Sequence, residues 1–194
     1  SFRVINEGHT FIEVIPPPRE NTTNPADYIL NGGGARTSTF VFEREAFLSV
    51  KFDNNLTKHQ DWDLFIRFAT AYSMKIDTKI TACLDCGRKD RMSATPNHEG
   101  TSYFINKHKN LIKKYTLGRL YCRLAIITLM TEGRSSMYKF YYNQIPWDTK
   151  CGLFTLIKKV LLAFPVSGKV MQNIQLFWRK FRSLKTESKD RVTY

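Results

Sequence analysis

The sequence is short of acid, and the shortage is local. Its 194 residues hold 17 Asp and Glu against 30 Lys and Arg, a formal net charge of +13. Residues 1–104 carry 12 basic and 13 acidic side chains, net −1, whereas residues 105–194 carry 18 basic and only 4 acidic ones, net +14. A uniformly basic protein is thereby excluded. A near-neutral segment is joined to a strongly basic one, and such asymmetry points the second part toward an anionic partner, either nucleic acid or membrane. Cysteine is scarce as well, with Cys83, Cys86, Cys122 and Cys151 making 4. Only Cys83 and Cys86 are close, and no second Cys pair or His pair follows at zinc-ligand spacing, so the thiols read as reduced and structural. No run reaches the ~18 apolar residues of a spanning helix. The nearest stretches, 120–130 and 151–168, are broken by Arg123 and by Lys158, Lys159 and Pro165. The first residues lack the basic start, apolar middle and small-residue cleavage site of an export signal. Together with reduced thiols this gives a cytoplasmic expectation. What is present is a globular composition, 42% hydrophobic and 13% aromatic, which excludes a disordered, collagen-like or disulfide-scaffold protein.

Along the chain, residues 2–5 and 10–15 read as two short strands around an Asn6-Glu7-Gly8-His9 turn. Pro16-Pro17-Pro18 stops regular structure. A polar connection follows, with a short helix after Pro25. It ends in Gly32-Gly33-Gly34, where backbone can take positive φ or approach a ligand closely. The β-branched and aromatic run Thr37 to Phe42 reads as a strand, and Glu43 to Val50 as a short helix with acids in its first turn. The strongest helix signal is 61–73, where Trp62, Phe65, Ile66 and Ala69 share one face and Asp61 and Asp63 open the first turn. Residues 75–84 read as one or two strands. From about residue 101 the pattern turns helical, with helices near 101–116, 118–131, 135–144, 149–163 and 168–184, then a polar tail over 185–194. The expected organisation is an α/β segment, 1–104, followed by a basic amphipathic helical region, 105–194.

The chemistry-bearing residues concentrate in 36–67. The segment reads Arg36-Thr-Ser-Thr-Phe-Val-Phe42, then Phe52-Asp-Asn-Asn-Leu56, then His59-Gln-Asp-Trp-Asp-Leu-Phe-Ile-Arg67. On spacing alone, Asp61 and Asp63 are acids in a first helical turn, which stabilise many helices, and His59 is a lone surface histidine. The ordered set nevertheless resembles the C-terminal half of the catalytic domain of family 2 glycosyltransferases. These are inverting nucleotide-sugar enzymes of GT-A, Rossmann-like fold, and the bacterial surface-polysaccharide type fits best. The family pattern is a strand ending in hydroxyl residues, a Phe-Asp-x-x-Leu turn, and a Glu-Asp or Gln-Asp pair opening an Asp-Trp-Asp-Leu helix. The resemblance implies that Asp61 is the base taking the proton of the acceptor hydroxyl. It implies that His59, Gln60, Trp62, Asp63, Gly33, Gly34 and Thr37 line the acceptor site. Asp63 is read as capping or orienting the helix start, Trp62 as an apolar wall or core, and Arg67 as a structural partner of nearby carboxylates.

Arg88-Lys89-Asp90-Arg91-Met92-Ser93 resembles the family's later Arg-x-His-x-x-Ser loop, which faces the donor diphosphate. Arg88, Arg91 and Ser93 are the diphosphate candidates. Asp90 stands where the family commonly has His, and is a candidate ligand for a hard cation. The family implies Mg²⁺ or Mn²⁺. However, no Asp-x-Asp precedes residue 61 and no βαβ pattern precedes residue 36. The nucleotide-binding half is therefore expected to be missing, and the 194 residues alone are expected to be inactive.

The basic region interleaves apolar residues with Lys and Arg, as in Ile174-Gln-Leu-Phe-Trp-Arg-Lys-Phe-Arg182. Such a stretch suits a helix lying in a headgroup layer, and the resemblance implies a lipid-linked or saccharide acceptor at the inner face of the cell membrane. The competing expectations are a basic nucleic-acid-binding module and a non-catalytic interaction fragment. The first has no helix-turn-helix, zinc-finger or ribonucleoprotein signature to support it.

Overall fold

The structure, a computed structural model, describes residues 2–6, 9–13, 24–33, 36–75, 77, 79, 81–85, 96–148 and 153–163. The chain forms two compact units, Ser1–Thr116 and Leu117–Tyr194.

In the first unit β1 (Phe2–Asn6) pairs antiparallel with β2 (His9–Glu13) across the expected turn. It also pairs in parallel with β3 (Ala82–Asp85), giving the order β2-β1-β3. Helices α1 (Pro25–Tyr28), α2 (Arg44–Val50) and α3 (Gln60–Ala71) lie in the crossover between β1 and β3. Helix α4 (His98–His108) follows. Helices hold most of the described residues, and three short strands do not by themselves make a Rossmann-like domain.

Helix α1 starts where Pro25 occupies the first position and the Asn24 side chain accepts from the Ala26 N–H at 2.8 Å. One π turn, Ile29–Gly33, continues it, with Gly32 at φ 110°, a conformation that a Cβ would strain. Gly33 has a packing reason to be glycine. A Cβ there would stand 2.7 Å from the Tyr28 carbonyl oxygen and against the Tyr28 ring. That ring in turn stacks on Phe65 of α3 with centroids 5.6 Å apart.

The Thr37–Phe42 strand is not formed. Thr37–Thr39 is a single 3₁₀ turn, and no ladder pairs with the extended residues after it. The aromatics that make this run look like a strand are used differently. Phe40, Phe42, Phe47 and Val50 pack on a buried cluster of Ala46, Leu64 and Phe68, with Phe42 4.6 Å from Phe68 between centroids. Tertiary packing on α3 thus overrides β-propensity. Helix α3 also buries more than its expected stripe: Asp63, Leu64, Phe65, Ile66 and Phe68 are buried, while Trp62 and Ala69 are only half-buried.

The single helix expected over 101–116 is two. Helix α4 stops at His108, whose carbonyl accepts from the N–H groups of Leu111 and Ile112 at 2.9 and 3.2 Å. The turn is held away from helical geometry by α1 and its cap. Asn24 Nδ2 donates to the Leu111 carbonyl at 2.5 Å, and the Lys113 N–H donates to Asp27 Oδ1 at 3.0 Å. The first compact unit consequently extends to Thr116, and the change in charge at residue 105 falls inside α4.

The second unit contains most of α5 (Lys114–Glu132), with α6 (Ser136–Gln144) and α7 (Leu153–Ala163). Ser135 caps α6 by accepting from the Tyr138 N–H at 3.2 Å. Its core is Cys122, Ala125, Ile126, Leu129, Tyr138, Tyr141, Ile145 and Leu162. Cys122 is a free thiol whose pKa burial pushes up to about 11, so it packs as an apolar group. Cys83 is free and exposed. Cys86, Cys151 and the helix expected over 168–184 lie outside the described residues. Among the described residues no helix is long and apolar enough to cross a membrane.

Candidate active site

Helix α3 begins directly after His59, whose backbone is left-handed at φ 65°. For a residue with a Cβ this conformation costs about 1–2 kcal/mol, and the surroundings hold it. The imidazole stacks on Trp62 with centroids 4.6 Å apart at 20°, and Phe104 of α4 lies 5.3 Å away. His59 Nε2 is 3.0 Å from the hydroxyl of Thr101, itself buried in α4. The His59 carbonyl accepts from the Asp63 N–H at 2.9 Å, closing the first turn of α3. The turn that carries Asp61 is thereby pinned to α4 through its own flanking residues.

The first turn of α4 grips the preceding segment too. Asn97 Nδ2 donates to the Thr57 hydroxyl at 3.1 Å, while its Oδ1 accepts from the Gly100 N–H at 2.8 Å. A Cβ on Gly100 would stand 2.6 Å from Thr57 Oγ1 and 3.0 Å from the Lys58 backbone nitrogen. Backbone cannot move aside as a flexible side chain can. Gly100→Ala is therefore expected to destabilise the first unit by about 1–3 kcal/mol from overpacking, less up to about 1 kcal/mol from better helix propensity. Urea denaturation measures it, and a midpoint at or above that of the unaltered chain would contradict the close approach.

Asp61 and Asp63, two positions apart in α3, sit in opposite environments. Asp61 is half-buried, and its Oδ1 accepts from the Trp62 N–H at 3.0 Å. Burial drives its pKa up; the Trp62 N–H and the charges of Arg36 and Lys58 pull it back, and the net position is above the ordinary carboxylate value. A helix N-terminus by itself favours the ionised carboxylate. Burial outweighs that effect here.

Asp63 is fully buried, at 0% exposure, and surrounded by hydrogen-bond donors. Arg67 Nε and Nη2 are 2.8 Å from Oδ2, and Lys107 Nζ and His108 Nε2 are 2.8 Å from Oδ1. Burial alone would raise its pKa. The hydrogen bonds from His108, Lys107 and Arg67 overcome that and hold the carboxyl well below the usual range. Lys107 also reaches Asp53 at 2.5 Å, and the Tyr103 hydroxyl donates to Asp53 at 3.2 Å. Arg67 extends to the carbonyls of Val50 and Lys51 at 2.5 and 2.6 Å. Asp63 therefore joins the end of α2, the Asp53 turn, α3 and α4. Its role is tertiary, beyond orienting the helix start, and its acceptor capacity is already spent.

Comparison with protein-family models, with curated proteins and with solved structures finds no match for this chain. The chemistry of the site rests on its own residues.

Gln60, half-buried, is the first residue of α3, so His59, Gln60, Asp61 and Trp62 form one continuous turn. Thr37 is exposed in the 3₁₀ turn, next to Arg36, whose charge acts on Asp61. Gly34, Arg88, Asp90, Arg91 and Ser93 lie outside the described residues. Sequence reasoning missed Asp53, Thr101, Lys107 and His108, and gave Arg36 and Lys58 no role beside Asp61. Of the last two, Lys58 carries a usable signal, as a cation just before the acidic turn, whereas Arg36 lies far from it in sequence. His108 carries none, being one histidine 45 residues from its partner.

The Mg²⁺ or Mn²⁺ expectation does not fit the described residues. Among them no three His, Cys, Asp or Glu side chains converge as a ligand set. Asp53 and Asp63 already hold Lys107, and Asp63 also holds Arg67 and His108.

Proposed function

We propose that this chain is the acceptor-side part of an inverting, nucleotide-sugar-dependent glycosyltransferase of the family 2, GT-A type, and that Asp61 is its base. The observation that carries the reading is the contrast between two nearby carboxylates. Asp61 is half-buried and accepts from the Trp62 N–H, while Asp63 is fully buried and held by Arg67, Lys107 and His108, a division that favours the first as a proton acceptor and the second as a structural anion.

In the proposed reaction an acceptor hydroxyl oxygen attacks the anomeric carbon from the face opposite the leaving group. The new glycosidic bond forms as the bond to the nucleoside diphosphate breaks, and the diphosphate leaves with the electron pair. Asp61 takes the hydroxyl proton. The clamp of His59, Trp62, Thr101 and Phe104 fixes where that carboxylate sits, which limits the acceptor geometries that react. Arg88 and Arg91 would neutralise the departing diphosphate, and Ser93 would donate a hydrogen bond to it. The nucleotide-binding half lies outside these residues in this reading. The acceptor is a saccharide or a lipid-linked sugar, reached at the inner face of the cell membrane through the basic region 105–194, and the pathway is surface-polysaccharide synthesis.

The test is Asp61→Asn in the longest reading frame that includes a donor-binding half, with nucleoside diphosphate release from a panel of nucleotide sugars as the readout. Release abolished with an unchanged circular dichroism spectrum supports the assignment. Unchanged release refutes it.

A further inference from the structure

Helix α7 turns a lysine inward and two aliphatic side chains outward. Thr155, Lys159 and Leu162 are buried at 6%, 2% and 0% exposure, whereas Ile157 and Val160 are exposed at 47% and 43%. At 100° per residue the buried three share one side of the helix and the exposed two the other. The inward side is fastened by polar contacts. Lys159 Nζ donates to the Ile145 carbonyl and lies 4.1 Å from the Trp147 ring centroid and 5.5 Å from that of Tyr142. The Leu162 carbonyl accepts from the Tyr138 hydroxyl at 2.7 Å and from Arg134 Nη2 at 3.3 Å. A helix in water ordinarily turns its aliphatic side inward and its lysines outward. Here a lysine is an internal anchor beside Leu162, and Ile157 and Val160 are presented.

We infer that this outward face of α7 docks on an anionic phospholipid surface. Charge selects the occupant. Residues 117–194 hold 14 Lys and Arg against 4 Asp and Glu, net +10. An aliphatic strip carried by a cationic unit matches a bilayer whose headgroups are anionic and whose acyl boundary accepts Ile and Val. The same net charge works against a second copy of the chain, because two such cationic units repel one another. Nucleic acid would call for cations and stacking aromatics at the contact, and Ile157 and Val160 offer neither. Helix α7 has 11 residues and so spans about 16 Å, a length that lies on a bilayer and does not cross it. This inference rests on the membrane part of the proposed function and names the surface responsible.

The test is cosedimentation of the full chain with vesicles of phosphatidylcholine containing phosphatidylglycerol, and with vesicles of phosphatidylcholine alone, at low and high salt. The chain is expected to pellet with the anionic vesicles, less so at high salt. Ile157→Asp/Val160→Asp is expected to bind them at least roughly tenfold more weakly. Both positions are exposed, so the fold should persist, and a thermal melt checks it. If the melt shifts, Ile157→Ser/Val160→Ser is read in its place. A folded variant that binds as tightly as the unaltered chain overturns the α7 face and leaves the membrane reading standing. No binding of the unaltered chain to either vesicle overturns both. Self-association that the substitutions abolish, without vesicle binding, assigns the face to a second copy and overturns the inference.

Discussion

Asp63→Asn is expected to cost about 3–5 kcal/mol of folding stability, read as a fall in the urea midpoint. The side chain it alters is fully buried, and Arg67, Lys107 and His108 all direct N–H groups at it. Neutralising the carboxylate leaves those groups desolvated without a counter-charge, which costs more than the net worth of the pairs themselves. The partners should not be equivalent. The Lys107 side chain is 27% exposed and keeps Asp53 as a second partner, so Lys107→Met is expected to cost less, about 1–2 kcal/mol. Equal losses for the two variants would show that Asp63 is not the centre of the network. Acid adds a second signature. Unfolded, Asp63 titrates near its ordinary 3.8, and folded it titrates well below that value. The unfolded chain therefore takes up a proton first as pH falls. The contribution of Asp63 is fully present above the ordinary carboxylate value and is lost as pH drops below it toward the folded value. In Asp63→Asn that part of the acid-side slope should be missing. Lys107 works at the other end, because its pKa is raised above 10.5 by Asp53 and Asp63 against the opposing effect of burial. Its contribution is present below 10.5 and fades as pH rises past the folded value.

Local pattern made parts of this architecture legible and left others silent, for reasons that differ by residue. Helix α3 is readable because its acids, apolar residues and length all agree. The first two strands are readable because a polar turn separates two short apolar runs. The run Thr37 to Phe42 misleads because a strand and an unpaired aromatic segment draw on the same residue types, and only the neighbouring face of α3 decides between them. The break after His108 is set by Asn24 and Asp27, more than 80 residues earlier, so nothing nearby announces it. The site divides in the same way. Asp61 stands out by position and motif. The environment that separates it from Asp63 comes from α4, whose Thr101, Lys107 and His108 look like ordinary polar members of a helix. Helix α7 marks a further limit. Periodicity finds the helix and its aliphatic strip, but which side turns inward depends on Ile145, Tyr142 and Trp147 receiving a lysine.

Asp61→Asn should give the opposite result to Asp63→Asn: transfer falls by roughly 10²–10⁴-fold, the usual contribution of a positioned base, while the fold is not weakened. The pKa of Asp61 is raised because burial disfavours its charged form. A raised carboxyl stabilises the fold only at low pH and loses that contribution as pH rises through the folded value, so at neutral pH the ionised group is a burden on the fold. Asparagine removes the charge at little change in size, and the urea midpoint at neutral pH should hold or rise. Loss of function with stability kept is the pattern of a site residue placed against the interests of folding. The pH profile extends the test. The base must be ionised to accept a proton, so kcat/KM should fall on the acid side through the folded pKa of Asp61, above the ordinary 3.8. Arg36 and Lys58 hold that value down by their charge. Arg36→Met and Lys58→Met should each move the acid limb to higher pH. A limb that stays fixed, or moves to lower pH, in both variants would mean that the group titrating in the rate is not Asp61.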